Sequence, residues 1–293
     1  MLSVEYPILR APIRVVPDPP DATPSHRKCA ENLKNMKAIV PSKIEKLGGK
    51  RWGQMTAVPL PRAAVRPVSR AFFKLKEIID TCAIGPYEHT LSLCEAPGGF
   101  VQCITETFPS LKSWRAISLD DNIDFQTDGL DFTRGQILDI GWKNDVRVPE
   151  FRERLTGMNV DLVTADGSLG EDPATLEETH FPLLLAETDA AVKALKLGGD
   201  FVCKYFEANN LNTQIWIGIL TNMFRDVSIL KPTTSKPTNS ERYVVCRHFT
   251  RYYDIINEHY CTNEQWLEEL RDIIAEHNVS QHDALRRVIR SHV

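Results

Sequence analysis

The stretch HTLSLCEAPGGFVQCITETF, from His89 to Phe108, joins a strand to a helix through a glycine-rich turn. The run HTLSLCEA predicts a strand, PGG predicts a tight turn, and FVQCITETF predicts a helix. Glycines in such a turn let a ligand approach the backbone, and the first turn of the helix has free N–H groups. In open α/β sheets, ligands bind at this carboxyl edge of the strands. The stretch therefore favours a ligand-binding α/β fold, although a plain tight turn explains the two glycines equally well.

Strands and helices continue to alternate after this unit. The helical runs include NTQIWIGILTNMF and the long TLEETHFPLLLAETDAAVKALK, and the strand-like runs are WRAISLD, DLVTADGS, DFVCKYF, DVSILK and ERYVVCRHF. This βαβ order predicts a mostly parallel sheet with helices on both faces and an antiparallel C-terminal strand. Two closing helices are expected after it. One follows the capping box of Thr262 and Gln265, and the second begins at Ser280.

The class of ligand follows from what the glycine-rich turn lacks. It contains neither GxGxxG nor a GKS or GKT sequence, so a dinucleotide site and a P-loop are excluded. Glu95 lies inside the turn, where a carboxylate disfavours phosphate and tolerates a cationic ligand such as S-adenosylmethionine. Asp120 ends the next strand, where an acid can accept hydrogen bonds from a ribose. Together these residues favour a nucleoside-containing cofactor.

Composition sets limits on compartment and partners. No window approaches the roughly 18 apolar residues of a membrane span. The seven cysteines form no CxxC pair, which indicates reduced thiols in an intracellular protein and no metal site. The net charge is −4, but from Arg27 to Lys76 thirteen Lys or Arg residues stand against two Glu. That basic stretch is either a phosphate-facing surface or a solvated N-terminal arm.

Four charged residues fall at or near the ends of core elements on the side of the turn: Lys74, Asp166, Lys204 and Glu241. Lys204 is the most unusual, because the strand DFVCKYF is otherwise apolar and an unpaired ammonium is costly to bury. Each residue also has a structural explanation. A lysine can snorkel from a helix, an aspartate can cap one, and Lys204 with Glu241 can form an ion pair. Converging at one edge, the four would tune one another's pKa.

Five motifs between Ser69 and Phe249 resemble those of the FtsJ-like (RrmJ-fold) 2′-O-ribose methyltransferases. The last three are most similar to the cap-specific mRNA branch of that family. The resemblance implies a Rossmann-like S-adenosylmethionine-dependent methyltransferase fold. It also places a Lys–Asp–Lys–Glu tetrad on the four residues above. The motifs are SRAFFKLKEI, LCEAPGGFVQ, DLVTADGS, GGDFVCKYF and KPTTSKPTNSERYVVC.

The resemblance also implies the cofactor site. Asp139 is matched in ILDIGW, where leucine replaces the glycine typical of the family. S-adenosylmethionine is the expected cofactor. The implied cofactor-binding residues are Cys94, Glu95, Ala96, Pro97, Gly98, Gly99, Phe100, Asp120, Asp139 and Asp166.

The chemistry implied is the transfer of a methyl group to a ribose hydroxyl. Lys204 is expected to deprotonate or steer the hydroxyl, with a pKa lowered toward neutrality by burial and by Lys74. Glu241 orients the amine, and Asp166 lies between cofactor and base. The substrate expected is RNA, most specifically the capped 5′ end of mRNA. The RNA-binding candidates are Lys43, Lys50, Arg51, Arg70, Lys236 and Asn239, with Trp52, Phe100 and Tyr205 as candidate stacking faces.

These expectations divide the chain into three parts. Residues 1–68 form a basic, proline-rich extension and a candidate for RNA or cap contact. Residues 69–250 form the catalytic domain, and residues 251–293 form a helical extension. The terminal extensions either pack on the core or support a homodimer or a capping or polymerase partner. Methylation of ribosomal or transfer RNA and an inactive binding module remain alternatives. The sequence is equally consistent with a nuclear, a cytoplasmic or a virus-encoded protein, without membrane attachment.

Overall fold

The computed structural model describes residues 8–9, 23–119, 124–169, 175–250 and 264–290. Its strands belong to a single eight-stranded sheet, and they are β1 (Ile8–Leu9), β2 (His89–Leu93), β3 (Ser113–Ile117), β4 (Gly135–Ile137), β5 (Val160–Ala165), β6 (Leu195–Phe206), β7 (Phe224–Leu230) and β8 (Glu241–Phe249). Their spatial order is β1-β7-β8-β6-β5-β2-β3-β4. The neighbours from β6 through β5, β2 and β3 to β4 run parallel. β8 is antiparallel to both β6 and β7, so the predicted mixed sheet is confirmed.

Helices cover both faces of the sheet. They are α1 (Pro24–Ala38), α2 (Val40–Leu47), α3 (Gly49–Met55), α4 (Ala71–Cys82), α5 (Gly99–Thr107), α6 (Pro149–Glu153), α7 (Leu176–Ala194), α8 (Leu211–Met223) and α9 (Glu264–Arg290). Side chains from α4 and α5 form one apolar core, and side chains from α6 to α9 form the other. Successive strand residues alternate between the two, because Val202 enters the first core while Phe201 and Cys203 enter the second. This explains why the central strands read as continuous apolar runs.

The terminal helices pack against each other and against the sheet. α1 and α9 form an extensive contact. Leu33 of α1 and Leu285 of α9 are buried in a small apolar cluster, against which Trp52 of α3 packs. Within the proline-rich extension, the chain between α3 and α4 forms neither helix nor strand. None of the described helices is long and apolar enough to cross a bilayer.

The C-terminal extension differs from its prediction, since α9 runs unbroken from Glu264 to Arg290. The expectation of a second helix beginning at Ser280 is wrong. Buried side chains continue at helical spacing across this position, through Asn278, Gln281 and Leu285. Two of them are amides, so the buried face does not show as an apolar pattern. A serine inside a helix costs only about 0.5 kcal/mol relative to alanine, which the packing outweighs.

Candidate active site

The four charged residues of the sequence analysis meet at one edge of the sheet. Asp166 directly follows β5, and Lys204 lies two residues before the end of β6. Glu241 begins β8 and pairs with Phe206, which brings it to the carboxyl end of β6 because the two strands are antiparallel. Lys74 reaches the same place from α4. The fold therefore assembles them from four separate elements.

Two ion pairs organise this cluster. Lys74 Nζ donates to Glu241 Oε2 at 2.7 Å. Lys204 Nζ donates to the backbone oxygen of Asp166 at 2.7 Å and lies 3.2 Å from its Oδ1. Lys204 is 6% exposed and Glu241 is 7% exposed, so both pairs are largely shielded from water. Buried charges of this kind persist only when each has a partner.

Further hydrogen bonds hold the two carboxylates in place. The Tyr243 hydroxyl donates to Asp166 Oδ1 at 2.8 Å, and the Ser235 hydroxyl donates to Glu241 Oε1 at 2.7 Å. Below Asp166, the buried carboxylate of Glu187 accepts the Gly167 amide at 3.2 Å. Burial raises the pKa of Glu187 to about 7. Sequence reasoning missed these three supporting side chains, because a serine in a polar loop, a tyrosine in a strand and a glutamate in a helix carry no signal of their own.

The pKa of Lys204 departs from its expected direction. Burial alone would lower it, but the negative charges of Asp166 and Glu241 outweigh burial and raise the pKa above its ordinary value. The prediction of a lysine pKa lowered toward neutrality is therefore wrong for this structure. That prediction included the effects of burial and of the Lys74 ammonium. It gave too little weight to the carboxylates of Asp166 and Glu241, which raise the pKa. Lys204 is an ammonium at neutral pH.

The pKa of Glu241 shifts in the opposite direction, although nearby charges again outweigh burial. Burial would raise the pKa of its carboxyl, but the ammonium groups of Lys74 and Lys204 and two hydrogen bonds hold the pKa at about 2. The carboxylate is thus ionised throughout the neutral range. It offsets the positive charge of the neighbouring Lys74 and Lys204, while its expected role in orienting the amine stays a prediction.

The glycine-rich turn is built around Glu95. Its carboxylate accepts the backbone amides of Phe100 and Val101 at 2.8 and 3.0 Å, at the start of α5. Burial raises the pKa of Glu95 to about 8, although these hydrogen bonds oppose the shift. The free N–H groups that a phosphate would use are therefore occupied by the protein's own side chain. This is a firmer reason to exclude a phosphate site than charge alone.

A cavity of about 330 Å³ opens beside this turn at the carboxyl ends of β2 and β5. Its apolar lining includes Leu119, Val146, Leu169 and Leu183, and its polar lining includes Asn144, Asp145, Arg147, Asp166, Ser168 and Lys204. Cys94 and Ala96 of the turn also line it. Apolar walls with hydroxyl, amide and carboxylate groups suit a ligand that combines a flat ring, a sugar and positive charge. S-adenosylmethionine has these parts, so the residues fit the expected cofactor.

A family model described as FtsJ-like methyltransferase matches residues 67–249, which is more than half of the chain. This chain belongs to the FtsJ-like methyltransferase family. The family expected from the motifs is confirmed.

Individual relatives of this FtsJ-like chain carry more specific names. Two are called cap-specific mRNA (nucleoside-2′-O-)-methyltransferase 2. The protein of Danio rerio is 29% identical over 208 residues, which cover 61% of this chain and 28% of that protein. The protein of Mus musculus is 31% identical over 219 residues, which cover 62% of this chain and 27% of that protein. A protein of African swine fever virus, described as a probable methyltransferase, is 27% identical over 219 residues, which cover 64% of this chain and 50% of that protein. The chain spans about half or less of the length of these relatives.

Not every expected cofactor residue of this FtsJ-like chain lies at the cavity. Gly98, Gly99 and Phe100 are buried where the turn enters α5, and they do not line the cavity. Asp139 is exposed, and its carboxylate accepts the amide of Gly141 at 3.1 Å. Asp120 lies outside the described residues. Besides Asp166, the cavity is lined by a second acid, Asp145, whose pKa is lowered by hydrogen bonds from Arg147. In the sequence, the segment around Asp145 and Arg147 is distinguished only by its charged composition.

The expected RNA-binding residues fall into two groups. Lys43, Lys50 and Arg51 lie on α2 and α3, with Lys50 and Arg51 exposed. Lys236 and Asn239 lie on the loop from β7 to β8, and Arg70 donates to the backbone oxygen of Thr234 in that loop at 3.0 Å. Arg70 thus supports the loop rather than standing free. Of the stacking candidates, Phe100 and Tyr205 are fully buried in the core and present no face to a ligand, while Trp52 is half-buried.

A partly buried lysine, Lys231, holds this loop in place. Lys231 Nζ donates to the backbone oxygen and side-chain Oδ1 of Asn239 at 2.8 and 2.7 Å, and to the backbone oxygen of Glu241 at 2.9 Å. Burial and the nearby Arg242 lower the pKa of Lys231 to about 7. Asn239 is therefore held next to the tetrad by a residue that the sequence did not single out.

A cavity larger than the one beside the glycine-rich turn lies away from this chemistry. It measures about 740 Å³ and is lined by Val65, Phe72, Phe73 and Lys76 among others. Tetrad residues are absent from its lining. The volume of a cavity therefore does not identify the candidate active site here. The convergence of charged groups indicates it instead.

Gly99→Ala should destabilise the turn. An added Cβ would clash with the Ser69 hydroxyl and lie 3.0 Å from Ala71 Cβ and 3.1 Å from Phe72 N. Such overpacking costs about 1–3 kcal/mol of unfolding free energy. Gly53→Ala on α3 is the control, because nothing lies within 4 Å of its added Cβ. Urea unfolding of both variants measures the difference, and equal free energies would show that the turn tolerates a side chain.

Proposed function

We propose that this chain transfers a methyl group from S-adenosylmethionine to the ribose 2′-hydroxyl of a nucleotide next to the 5′ cap of mRNA. The observation that most supports this proposal is a pair of neighbouring contacts: Lys204 donates to Asp166, and Lys74 donates to Glu241. The names of the Danio rerio and Mus musculus relatives point to the same activity. In this proposal residues 69–250 form the catalytic domain, and the enzyme acts in the nucleus or cytoplasm, where capped mRNA is found.

The cavity beside the glycine-rich turn is the proposed cofactor site. Cys94, Ala96, Asn144, Asp145 and Asp166 would hold the cofactor there. When bound, S-adenosylmethionine supplies an electrophilic methyl group on a positively charged sulfur. The carboxylate of Asp166 adds negative charge at the end of the cavity that meets Lys204. A cationic ligand is favoured there on electrostatic grounds.

Lys204 is the proposed group that handles the ribose hydroxyl. An ammonium has three N–H donors, and Asp166 accepts at most two of them. The remaining N–H can donate to the hydroxyl oxygen and stabilise the negative charge that develops there. The small neutral fraction of the amine accepts the hydroxyl proton. Because the pKa of Lys204 is raised, steering and charge stabilisation are the larger part of its role.

Lys74 and Glu241 set the electrostatics of that lysine. Their ion pair places one positive and one negative charge next to Lys204. Removing either would change the charge around Nζ of Lys204. We infer that the pair keeps this nitrogen oriented toward the substrate side of the cavity.

RNA would approach from the loop between β7 and β8 and from α2 and α3. Lys236 and Asn239 are proposed contacts near the reacting nucleotide. Lys43, Lys50 and Arg51 are proposed contacts to phosphates further along the strand, since phosphate contacts from Lys and Arg supply most of the affinity for nucleic acid. Arg70 acts indirectly by holding the loop at Thr234.

Methyl transfer to matched capped and uncapped RNAs tests this function. We expect transfer from labelled S-adenosylmethionine to the capped RNA of a given sequence and little to its uncapped form. Equal transfer to both, or preference for a ribosomal or transfer RNA fragment, would contradict the cap-adjacent substrate. Binding of S-adenosylhomocysteine without transfer to any RNA would indicate an inactive binding module instead.

A further inference from the structure

Two helices outside the family match reach the ends of the strands that carry the tetrad. α1 and α9 lie before residue 67 and after residue 249, the limits of the FtsJ-like match. They pack along each other and bury polar side chains against the carboxyl end of β6 and the start of β8. Their contacts there are hydrogen bonds and an ion pair rather than apolar packing alone.

Glu207 receives the contact from α1. It follows β6 three residues after Lys204 and has a positive φ of 60°. Its Oε1 accepts Lys37 Nζ at 2.5 Å and the Ser240 hydroxyl at 2.8 Å. Lys37 is 7% exposed and Glu207 is 8% exposed. One buried carboxylate therefore ties α1 to the residue that precedes Glu241.

α9 holds the same strand ends from the other side. Gln281 Nε2 donates to the Ser240 hydroxyl at 3.4 Å and to the backbone oxygen of Thr238 at 3.3 Å. Asn278 Oδ1 accepts the guanidinium of Arg242 at 3.0 Å, and Arg242 also donates to the backbone oxygen of Glu207. The residues on both sides of Glu241 are thus fixed by side chains of the terminal helices.

We propose that Lys37, acting through Glu207, is a positioning residue for Lys204 and Glu241, and that α1 and α9 together clamp the catalytic strand ends. The inference rests on the function proposed above. A buried ion pair is weak evidence for stability, because desolvation offsets most of its attraction. Its value here is geometric: it fixes the turn that leaves β6 beside the start of β8. A misplacement of about 1 Å in a catalytic group can cost about 100-fold in rate.

Lys37→Met tests the clamp, with Lys34→Met as the matched control. Lys34 lies on the same helix, is exposed, and forms no described contact with the strand ends. Lys37→Met should lower kcat for methyl transfer by about tenfold or more. The KM for S-adenosylmethionine and the affinity for S-adenosylhomocysteine should stay near wild type, because the cavity lining does not include Lys37 or Glu207. Lys34→Met should leave both unchanged, and Lys37→Arg should recover part of the lost rate.

Hydrogen exchange provides a readout that does not depend on activity. Lys37→Met should speed exchange of the amides of residues 239–243 while leaving β2 protected. If Lys37→Met does not fold, Gln281→Met takes its place as the test. It removes the weaker contact from α9 and should speed exchange of the same amides to a smaller extent. Wild-type kcat together with wild-type exchange in these variants would overturn the clamp. If the wild-type chain methylates no RNA, the proposed function fails, and exchange at residues 239–243 still decides whether the clamp exists.

Discussion

Replacing Lys204 with alanine should abolish methyl transfer while leaving cofactor binding intact. A positioned proton-transfer group contributes about 10²–10⁴-fold to rate, and Lys204 also supplies the charge that stabilises the hydroxyl oxygen. Loss of an ammonium beside the cavity does not weaken a cationic ligand, so S-adenosylmethionine should bind at least as tightly. Single-turnover transfer to capped RNA and calorimetric titration with the cofactor measure the two effects separately.

Lys196→Ala is the matched control for this variant. Lys196 lies on the same strand at its opposite end, where it is exposed and pairs with Asp161. Its removal should leave turnover unchanged. Lys204→Arg should also lower turnover, because the larger, planar guanidinium cannot place an N–H where the ammonium does and cannot give up its proton in this range. Near-normal turnover in either Lys204 variant would remove the residue from the mechanism.

The pH dependence of wild-type transfer follows from the raised pKa of Lys204. An unperturbed lysine has a pKa of about 10.4, so a higher value leaves the neutral amine a minor form from pH 7 to about 9. If that form accepts the proton, the single-turnover rate should rise by about tenfold for each pH unit over this range. A flat profile from neutrality upward would show that the neutral amine does not accept the proton and that the ammonium acts only by steering and charge stabilisation.

Glu241→Gln should produce the largest loss of stability among single changes in the site. The variant leaves Lys74 and Lys204 with less negative charge around them, and breaking a buried pair by removing one partner costs about 3–5 kcal/mol. The pKa of Glu241, about 2 in the folded chain against about 4.3 for a free glutamate, corresponds to about 3 kcal/mol. Methyl transfer should fall as well, because Lys204 loses an orienting charge. Urea unfolding at neutral pH measures the stability.

The pH dependence of that loss has a defined sign. A carboxyl with a lowered pKa contributes stability above its unfolded pKa, and that contribution disappears as pH falls through the folded pKa. The difference between wild type and Glu241→Gln should therefore be full above about pH 5 and vanish toward about pH 2. Because low pH can unfold the chain, the decline between about pH 5 and pH 3.5 is the part to measure.

Two further variants isolate the ion pair. The double variant Lys74→Met/Glu241→Gln should cost less than Glu241→Gln alone, because it leaves no unpaired ammonium at Lys74. Glu88→Gln is the surface control, since Glu88 pairs with Lys112 where both side chains are more than half exposed. Exposed pairs contribute about 0–1 kcal/mol. Equal losses in Glu88→Gln and Glu241→Gln would show that the buried pair has no special role.

The sequence predicts the convergence of the four charged residues at one edge, because that convergence follows from strand and helix order. Asp166, Lys204 and Glu241 each sit at a strand end, and parallel strands bring such ends to one edge. The balance of charge between them does not follow from order. Whether burial or a carboxylate controls the pKa of Lys204 depends on distances of about 3 Å, which only the folded chain shows.

Other parts of the site lie in segments without a periodic pattern. Asn144 and Asp145 come from the irregular chain between β4 and α6, so no hydrophobic repeat places them at the cavity. The buried amides Asn278 and Gln281 hide the inner face of α9, which led to the wrong prediction of a break. Glu95 was expected near the ligand, but it satisfies the amides of α5 instead.

The position of the transferred methyl group tests the central claim most directly. Short capped RNA is incubated with the wild-type chain and isotopically labelled S-adenosylmethionine, then digested with nuclease and analysed by mass spectrometry. The predicted result is label on the ribose 2′-oxygen of a nucleotide adjacent to the cap, and no label when Lys204→Ala replaces the wild type. Label on the cap guanine or on a nucleobase, or label that persists without Lys204, would contradict the account.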